Sequence, residues 1–217
     1  MSRRQNAMAS AVPRLPVLPD ARRYRIVAIG ESAGGFRSIC KLLQTLPADL
    51  PCGMLIVQHL SPEHKSMMAD LLEHRTKLKV RQAEDCEPIE SGVVYIGPPN
   101  LHLVAEPGRV RLLQTPALRL HRPSIDLMFE SVAANYGRHA IGIVLSGSGN
   151  DGAIGIRAIK TAGGKTMTED PAGAEFSSMP YAAIATGCID MVLPLDKMGQ
   201  AIIELCSQLD DEPGHIA

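Results

Sequence analysis

Residues 25–35, R-I-V-A-I-G-E-S-A-G-G, are the stretch that decides the fold. A largely apolar run that ends in a glycine predicts a buried strand, and the small residues after it predict a tight turn. Beyond the turn, apolar residues recur at helical spacing as far as Leu46, where Pro47 ends the pattern. A buried strand, a tight turn and a helix in this order indicate a parallel α/β sheet.

The same alternation continues along the chain. Further strands are predicted at residues 53–58, 79–82, 93–96, 140–145, 165–168 and 191–193. Further helices are predicted after Ser61-Pro62, at 124–135, near 152–162, after Pro180 and at about 197–208. Residues 101–105 and 110–113 flank a turn and predict a hairpin, which we expect at an antiparallel edge of the sheet. The expected fold is α/β, a three-layer αβα sandwich with a mainly parallel, doubly wound sheet and an antiparallel hairpin.

Composition excludes several classes of function. The 217 residues carry 22 basic and 23 acidic side chains, so no net field draws the chain to nucleic acid. With four Tyr, three Phe and no Trp, the chain lacks stacking platforms for single strands. Its apolar runs are far shorter than the roughly 20 residues of a membrane helix. Five cysteines without a C-x-x-C pair favour a reduced, cytoplasmic protein.

The domain organisation is expected to be simple. Residues 24–208 carry the strand and helix patterns and form one domain. Residues 1–23 contain Pro13, Pro16 and Pro19 but no apolar signal-peptide core, and we expect a disordered tail there. Residues 209–217 form a second tail at the carboxyl end.

The turn after the first strand carries the first candidate for chemistry. Residues 30–34 match G-x-S-x-G, in which a serine on a sharp strand-to-helix turn is lifted above the sheet. Backbone N–H groups at the helix start then lie near a reacting carbonyl. A glycine-rich turn also cradles phosphates, so a doubly wound nucleotide-binding module remains an alternative. Against that alternative, the glycine spacing is not G-x-G-x-x-G, and His59 stands where a ribose-binding acid is expected.

Two further strand ends carry His59 and Asp151. If the first two strands are neighbours, Ser32 and His59 lie at one rim, since adjacent strands are about 4.8 Å apart. Asp151 lies in a glycine-rich loop before a helix, where an ordinary N-cap role is equally consistent with the sequence. Serine, histidine and an acid on separate strand ends are the components of a hydrolytic triad. The remaining histidines show no metal-ligand spacing, and we expect neither a metal nor a cofactor.

Five blocks of sequence resemble a known family in order. They are 27–35 (V-A-I-G-E-S-A-G-G), 57–59 (V-Q-H), 121–126 (H-R-P-S-I-D), 146–152 (S-G-S-G-N-D-G) and 178–180 (S-M-P). These blocks resemble the catalytic domain of the chemotaxis protein-glutamate methylesterases, over about residues 25–208. The resemblance implies a parallel α/β sandwich and a triad of Ser32, His59 and Asp151.

The resemblance also implies an oxyanion site and shows two departures from the family pattern. Backbone N–H groups at Ala33 and Gly34, with support from Ser148, are implied as donors. Ala33 stands where many members have Thr, and Ser148 where many have Met. Because the donors are backbone groups, these side-chain changes need not abolish activity. The block around Arg122-Pro123-Ser124 lies either near the substrate or at a helix start capped by Ser124.

The implied activity is hydrolysis of glutamate methyl esters on methylated chemoreceptor-type proteins, with glutamine deamidation chemically close. A receptor methyltransferase, or a separate receiver protein that covers the site, are the other implied partners. Most members carry a receiver domain, and residues 1–23 are too few and too Pro-rich to form one, so we expect unregulated activity. A catalytically silent scaffold that binds receptors or a signalling kinase remains a second alternative.

Overall fold

A seven-stranded parallel sheet forms the centre of the molecule. The computed structural model describes residues 25–59, 67–114 and 122–208. Its strands are β1 (Arg25–Glu31), β2 (Cys52–Gln58), β3 (Lys79–Gln82), β4 (Val93–Ile96), β5 (His102–Glu106), β6 (Arg109–Leu113), β7 (Ala140–Val144), β8 (Lys165–Glu169) and β9 (Met191–Leu193). The sheet order is β3-β4-β2-β1-β7-β8-β9, and every pairing in it is parallel.

Helices cover both faces of this sheet. They are α1 (Gly35–Gln44), α2 (Met68–Glu73), α3 (Ile125–Tyr136), α4 (Ala153–Thr161), α5 (Ser178–Ala185) and α6 (Leu195–Ser207). Successive β1 residues point to opposite sides, so Val27 packs into the core under α1 and α6, while Ile26 packs into the core under α3 and α4. The three-layer αβα sandwich expected from the sequence is therefore confirmed.

The hairpin does not occupy the position expected from the sequence. Strands β5 and β6 pair with each other in a separate two-stranded sheet and form no edge of the main sheet. The backbone N–H and carbonyl of Ala105 in β5 are bound by side chains of α3. Ser131 Oγ accepts the N–H of Ala105 at 2.9 Å, and Asn135 Nδ2 donates to the Ala105 carbonyl at 3.0 Å. The hairpin forms its own sheet, and the helix binds one residue of it instead of a further strand, so the expected antiparallel edge is wrong.

Two helix starts differ in their agreement with the sequence patterns. Helix α3 begins as expected, with Ser124 Oγ accepting the N–H of Leu127 at 3.3 Å. Helix α5 begins at Ser178, two residues before Pro180, because a proline in the first helical turn loses no intrahelical hydrogen bond. The helix start at Ser61-Pro62 and the tails at 1–23 and 209–217 lie outside the described residues.

The strand order brings the three candidate strand ends together. Strand β1 lies between β2 and β7, with Glu31 in register with Gln58 and Gly30 in register with Val144. The segments that follow these three strands therefore share one rim at the carboxyl edge of the sheet. Within the described ranges, no helix is long and apolar enough to cross a membrane.

Candidate active site

Ser32 follows β1 directly and begins a tight turn into α1. Its backbone N–H donates to the Ser146 carbonyl at 3.1 Å, and its own carbonyl accepts the N–H of Gly35 at 3.0 Å. Gly34, not the serine, adopts the left-handed conformation of this turn, with φ of 72°. The side chain of Ser32 is half-buried. The turn thus holds the serine at the rim by backbone hydrogen bonds to the strand-end loop after β7.

His59 follows β2 directly and is held beside the same turn. Its backbone N–H donates to the Glu31 carbonyl at 3.3 Å, which extends the β1–β2 pairing by one position. Ser32 and His59 each follow the last paired residue of their strand, so they lie side by side at the ends of β1 and β2, as expected from the sequence. Among the described residues, Ser32 Oγ makes no hydrogen bond. Such contacts are often long in unliganded enzymes and shorten when substrate binds.

A short hydrogen bond joins His59 to Asp151. His59 Nε2 lies 2.8 Å from Asp151 Oδ2, with side-chain exposures of 11% and 4%. The acid contacts the starts of two helices. Asp151 Oδ1 accepts the N–H of Gly152, the N-cap residue of α4, at 3.0 Å, and Asp151 Oδ2 accepts the N–H of Ile125 in the first turn of α3 at 2.8 Å.

The environment of Asp151 keeps its carboxylate ionised. Burial alone would raise the pKa of Asp151, but the hydrogen bond from His59 and the backbone N–H groups of Asp126 and Ile125 outweigh it and lower the pKa to about 2. An ionised carboxylate only accepts hydrogen bonds. His59 Nε2 must therefore carry a proton, which leaves Nδ1 as the basic nitrogen of the neutral ring.

This orientation is the reverse of the usual one. In the familiar triad, Nδ1–H donates to the acid and Nε2 is the base. Here the acid contacts Nε2. Either nitrogen of a neutral imidazole can accept a proton while the other donates to a carboxylate, so both orientations leave one basic ring nitrogen.

The turn at Ala33 and Gly34 presents backbone N–H groups at the start of α1. Among the described residues, neither of these N–H groups has a hydrogen-bond acceptor. Gly34 is the N-cap residue of α1, which has no side-chain cap. The positive end of the helix dipole and unpaired N–H groups together favour a negative charge at this point. These donors suit an oxyanion, and they also suit a phosphate.

A loop segment that contains Glu175 and Phe176 lies against this turn. A Cβ on Gly34 would lie 2.9 Å from Glu175 Cβ and 3.0 Å from Phe176 Cδ2, so the close approach requires glycine. Ser146 fixes the loop, since its Oγ donates to the Ala33 carbonyl at 3.0 Å and accepts the Phe176 N–H at 2.9 Å. Phe176 is 43% exposed beside the candidate oxyanion site.

The remaining residues singled out from the sequence lie around this centre. Ser148 is exposed on the loop after β7, next to Gly149, whose N–H donates to Ser178 Oγ at 3.1 Å. Ser124 caps α3, and its hydroxyl lies 3.4 Å from Asp151 Oδ1, so it stands under the site. His102, which showed no motif, is fully buried and accepts the Ser124 N–H at Nδ1.

The sequence patterns did not predict that Ser146 and Asp126 would hold neighbouring segments in place. Ser146 follows the β7 run at the same rim, so its position alone could have indicated a contact with the Ser32 turn. Asp126 resembles any acidic residue in a first helical turn, and no local signal marks it as buried. In the structure it is 5% exposed and lies against the start of α4.

A parallel α/β sandwich with a serine and a hydrogen-bonded His–Asp pair at adjacent strand ends is typical of serine hydrolases. Comparison with protein-family models identifies the particular family. The model of the family described as CheB methylesterase matches residues 27–202. The chain belongs to the CheB methylesterase family.

Individual relatives agree with this assignment. A protein of Anaeromyxobacter dehalogenans named protein-glutamate methylesterase/protein-glutamine glutaminase 2 is 40% identical over 185 residues, which are 85% of this chain. The chain spans only 54% of that relative's length. A Leptospira interrogans protein, provisionally named for the same two activities, is 37% identical over 84% of this chain and 95% of its own length. The protein-glutamate methylesterase FrzG of Myxococcus xanthus is 36% identical over 83% of this chain.

A solved structure shares the same architecture. The crystal structure of the Thermotoga maritima CheB methylesterase catalytic domain superimposes with a TM-score of 0.80 and 34% sequence identity. The match covers 84% of this chain and 98% of the Thermotoga chain. The described fold is therefore that of a CheB catalytic domain.

Proposed function

We propose that this chain is a serine esterase that hydrolyses glutamate 5-methyl esters on chemoreceptor-type signalling proteins. The observation that carries the proposal is the 2.8 Å contact between His59 Nε2 and Asp151 Oδ2 at the strand end beside Ser32. The names of the relatives give the substrate class. The family membership and the site thus point to one reaction.

In the first step, Ser32 Oγ attacks the ester carbonyl carbon and passes its proton to His59 Nδ1. The imidazolium that forms is stabilised by the ionised Asp151, which accepts a hydrogen bond from Nε2–H. The tetrahedral intermediate then expels the methoxy group, which takes the proton from Nδ1 and leaves as methanol. A glutamyl ester of Ser32 remains.

The negative oxygen of the tetrahedral intermediate needs hydrogen-bond donors that are fixed in advance. The N–H groups of Ala33 and Gly34 are available for this purpose, since no described residue accepts them. Ser148 lies on the facing loop and adds support from its backbone. A single donor of this type typically contributes about a hundredfold to a thousandfold in rate.

In the second step, water attacks the acyl-enzyme with His59 as the base again. The products are the receptor glutamate and free Ser32. A glutamine side chain gives the same acyl-enzyme with ammonia as the leaving group. Deamidation at the same site is therefore chemically consistent, and several relatives carry glutaminase in their names.

The substrate glutamates lie on the cytoplasmic helical region of chemoreceptors, so we place the activity in the cytoplasm. A receptor methyltransferase that supplies the ester, and a receiver protein that covers the site, are the partners that fit this role. Phe176, which is exposed beside the candidate oxyanion site, is available to contact a receptor helix.

The test is release of volatile methanol from receptor membranes that carry radiolabelled methyl groups. The expected result is release that is proportional to protein concentration and that ceases when the methyl sites are changed to alanine. Receptor binding without methanol release would indicate a silent scaffold. Tight binding of a nucleotide without release would indicate a nucleotide-binding module.

A further inference from the structure

The carboxylate of Asp126 is buried in the first turn of α3 but binds another helix. Its Oδ1 atom accepts the backbone N–H of Gly152 at 2.9 Å and that of Gly155 at 2.8 Å. Both donors belong to the start of α4, which has no side-chain cap from its own N-cap residue. Asp126 therefore caps a helix that begins 27 positions further along the chain.

Asp151 makes the reciprocal contacts. Its carboxylate accepts the N–H of Ile125 at 2.8 Å and the N–H of Asp126 at 2.9 Å, both in the first turn of α3. The first N–H groups of a helix have no intrahelical partner and carry the positive end of its dipole. Each carboxylate is thus stabilised by the helix that the other residue introduces. These reciprocal hydrogen bonds, which we call the exchange, join the first turns of α3 and α4.

Glycines in α4 make the exchange sterically feasible. A Cβ on Gly155 would lie 2.4 Å from Phe129 Cβ and 3.0 Å from the Asp126 carbonyl oxygen. A Cβ on Gly152 would lie 2.9 Å from Ile125 Cγ2, and its φ of 98° also favours glycine. The backbones of α3 and α4 therefore approach closely where the two carboxylates lie.

We propose that Asp126 is a positioning residue that orients Asp151 toward His59; the inference rests on the proposed function. Asp151 Oδ2 accepts from both His59 Nε2 and the Ile125 N–H, so its direction depends on how the two helix starts are aligned. Without Asp126, the N–H of Gly155 loses its acceptor and the N–H of Gly152 keeps only Asp151 Oδ1, at 3.0 Å, so the backbone beside Asp151 shifts. A displacement of about 1 Å in a catalytic group can cost a hundredfold in rate.

The kinetic test compares three variants in the full chain. Asp126→Ala is expected to lower kcat about 10- to 100-fold with KM changed less than about threefold, because substrate contacts are untouched. Asp126→Asn is expected to recover most of kcat, since its amide oxygen can still accept both N–H groups. Asp196→Ala is the matched control, because Asp196 is likewise the second residue of a helix but is exposed on α6. It is expected to leave kcat unchanged.

A second readout needs no substrate. The Nε2 proton of His59, held by a carboxylate, should give a low-field imidazole resonance, which His59→Gln would assign by its loss. We expect that resonance in the original protein and in Asp126→Asn, and its shift or loss in Asp126→Ala. If the original protein shows the resonance but releases no methanol, the proposed function fails while the positioning role is still measured.

The opposite results would overturn the proposal. Asp126→Ala that lowers only the melting temperature, with kcat and the His59 resonance unchanged, would show that Asp126 is a helix cap and nothing more. If Asp126→Ala does not fold, Asp126→Glu replaces it, since the longer side chain keeps the charge but moves the acceptor. An unchanged kcat and resonance in Asp126→Glu would also contradict the positioning role.

Discussion

Glu31 Oε2 occupies the space beside Gly35, where a Cβ would lie only 1.6 Å from that oxygen. The Glu31 side chain is fully buried, one residue before Ser32. Burial is the main cause that raises the pKa of Glu31 well above its ordinary value, and the neighbouring Gln58 offsets only a part of this. Burial therefore favours the neutral acid over the carboxylate at the residue before the candidate nucleophile.

Glu31→Gln should stabilise the fold at neutral and alkaline pH. When a folded-state pKa is raised, the unfolded chain ionises first as the pH increases, and the free energy of unfolding falls. The free energy of unfolding of the variant does not fall in this way, so its excess over that of the original protein should grow from pH 4.5 to pH 8. Denaturant unfolding at several pH values measures it, with the exposed Glu73→Gln as control. An advantage that does not vary with pH would contradict the prediction.

Asp151→Asn should reduce kcat by roughly 10³- to 10⁴-fold, as in triads whose acid is replaced by its amide. The amide cannot stabilise the imidazolium and favours the wrong tautomer of His59. The measurement is the rate of methanol release at saturating substrate. A loss of less than about tenfold would remove Asp151 from the proposed mechanism.

The same substitution has a separate effect on acid stability. The pKa of Asp151 is lowered to about 2 by His59 and backbone N–H groups, against the effect of burial. A lowered pKa contributes stability that is present above the ordinary aspartate range and disappears as the pH falls toward 2. The stability difference between the original protein and Asp151→Asn should therefore be constant above about pH 5 and shrink below pH 4. Acid unfolding monitored by circular dichroism measures this difference, and one that persists at pH 2 would be inconsistent with it.

Gly147→Ala should displace Ser32 or α5 by steric overlap. An added Cβ would lie 2.1 Å from Met179 Sδ and 3.0 Å from Ser32 Cβ, so either α5 or the serine must move. We expect a destabilisation of about 1–3 kcal/mol, typical of overpacking, together with a lower kcat. Gly173→Ala is the control, because its Cβ would meet only the Asp170 carbonyl oxygen at 3.8 Å. Equal kcat in both variants would show that Gly147 does not constrain Ser32.

The cysteines should differ strongly in reactivity toward a thiol reagent. Cys86 is exposed, whereas Cys52 and Cys206 are buried with their sulfur atoms 3.1 Å apart. The contact with Cys206 and burial raise the pKa of Cys52 and suppress its thiolate. Modification should show a fast thiol that disappears in Cys86→Ser, and the buried pair should react only on unfolding. Rapid labelling of Cys52 in the native protein would contradict the described packing.

The sequence was sufficient to predict the sheet and the strand ends that lie side by side in it. Continuous apolar runs in β1 and β2 predicted buried parallel strands, and their neighbouring order put Ser32 and His59 at one rim. The hairpin was misplaced because the hydrogen bonds from α3 to Ala105 come from residues about 30 positions away. No local pattern reveals such partners.

The sequence patterns predicted which strand ends carry the candidate residues but not the contacts among those residues. Asp151 stands before a helix, so its sequence context indicates a cap for α4, whereas the side chain contacts Gly152 at the start of α4 and also the first turn of α3. The exchange with Asp126 and the contact through His59 Nε2 both depend on how separate elements pack. Periodicity and spacing describe single elements, and these contacts lie between elements.

The most direct test of the central claim is the rate of methanol release from methylated receptor membranes by Ser32→Ala. The control is Ser91→Ala, an exposed serine before β4 at the opposite edge of the sheet. We predict that Ser32→Ala folds normally and loses at least about a thousandfold in kcat, because one essential member of a triad carries most of its effect. Ser91→Ala should match the original protein. Retention of more than about a tenth of the original rate by Ser32→Ala would contradict its role as the nucleophile.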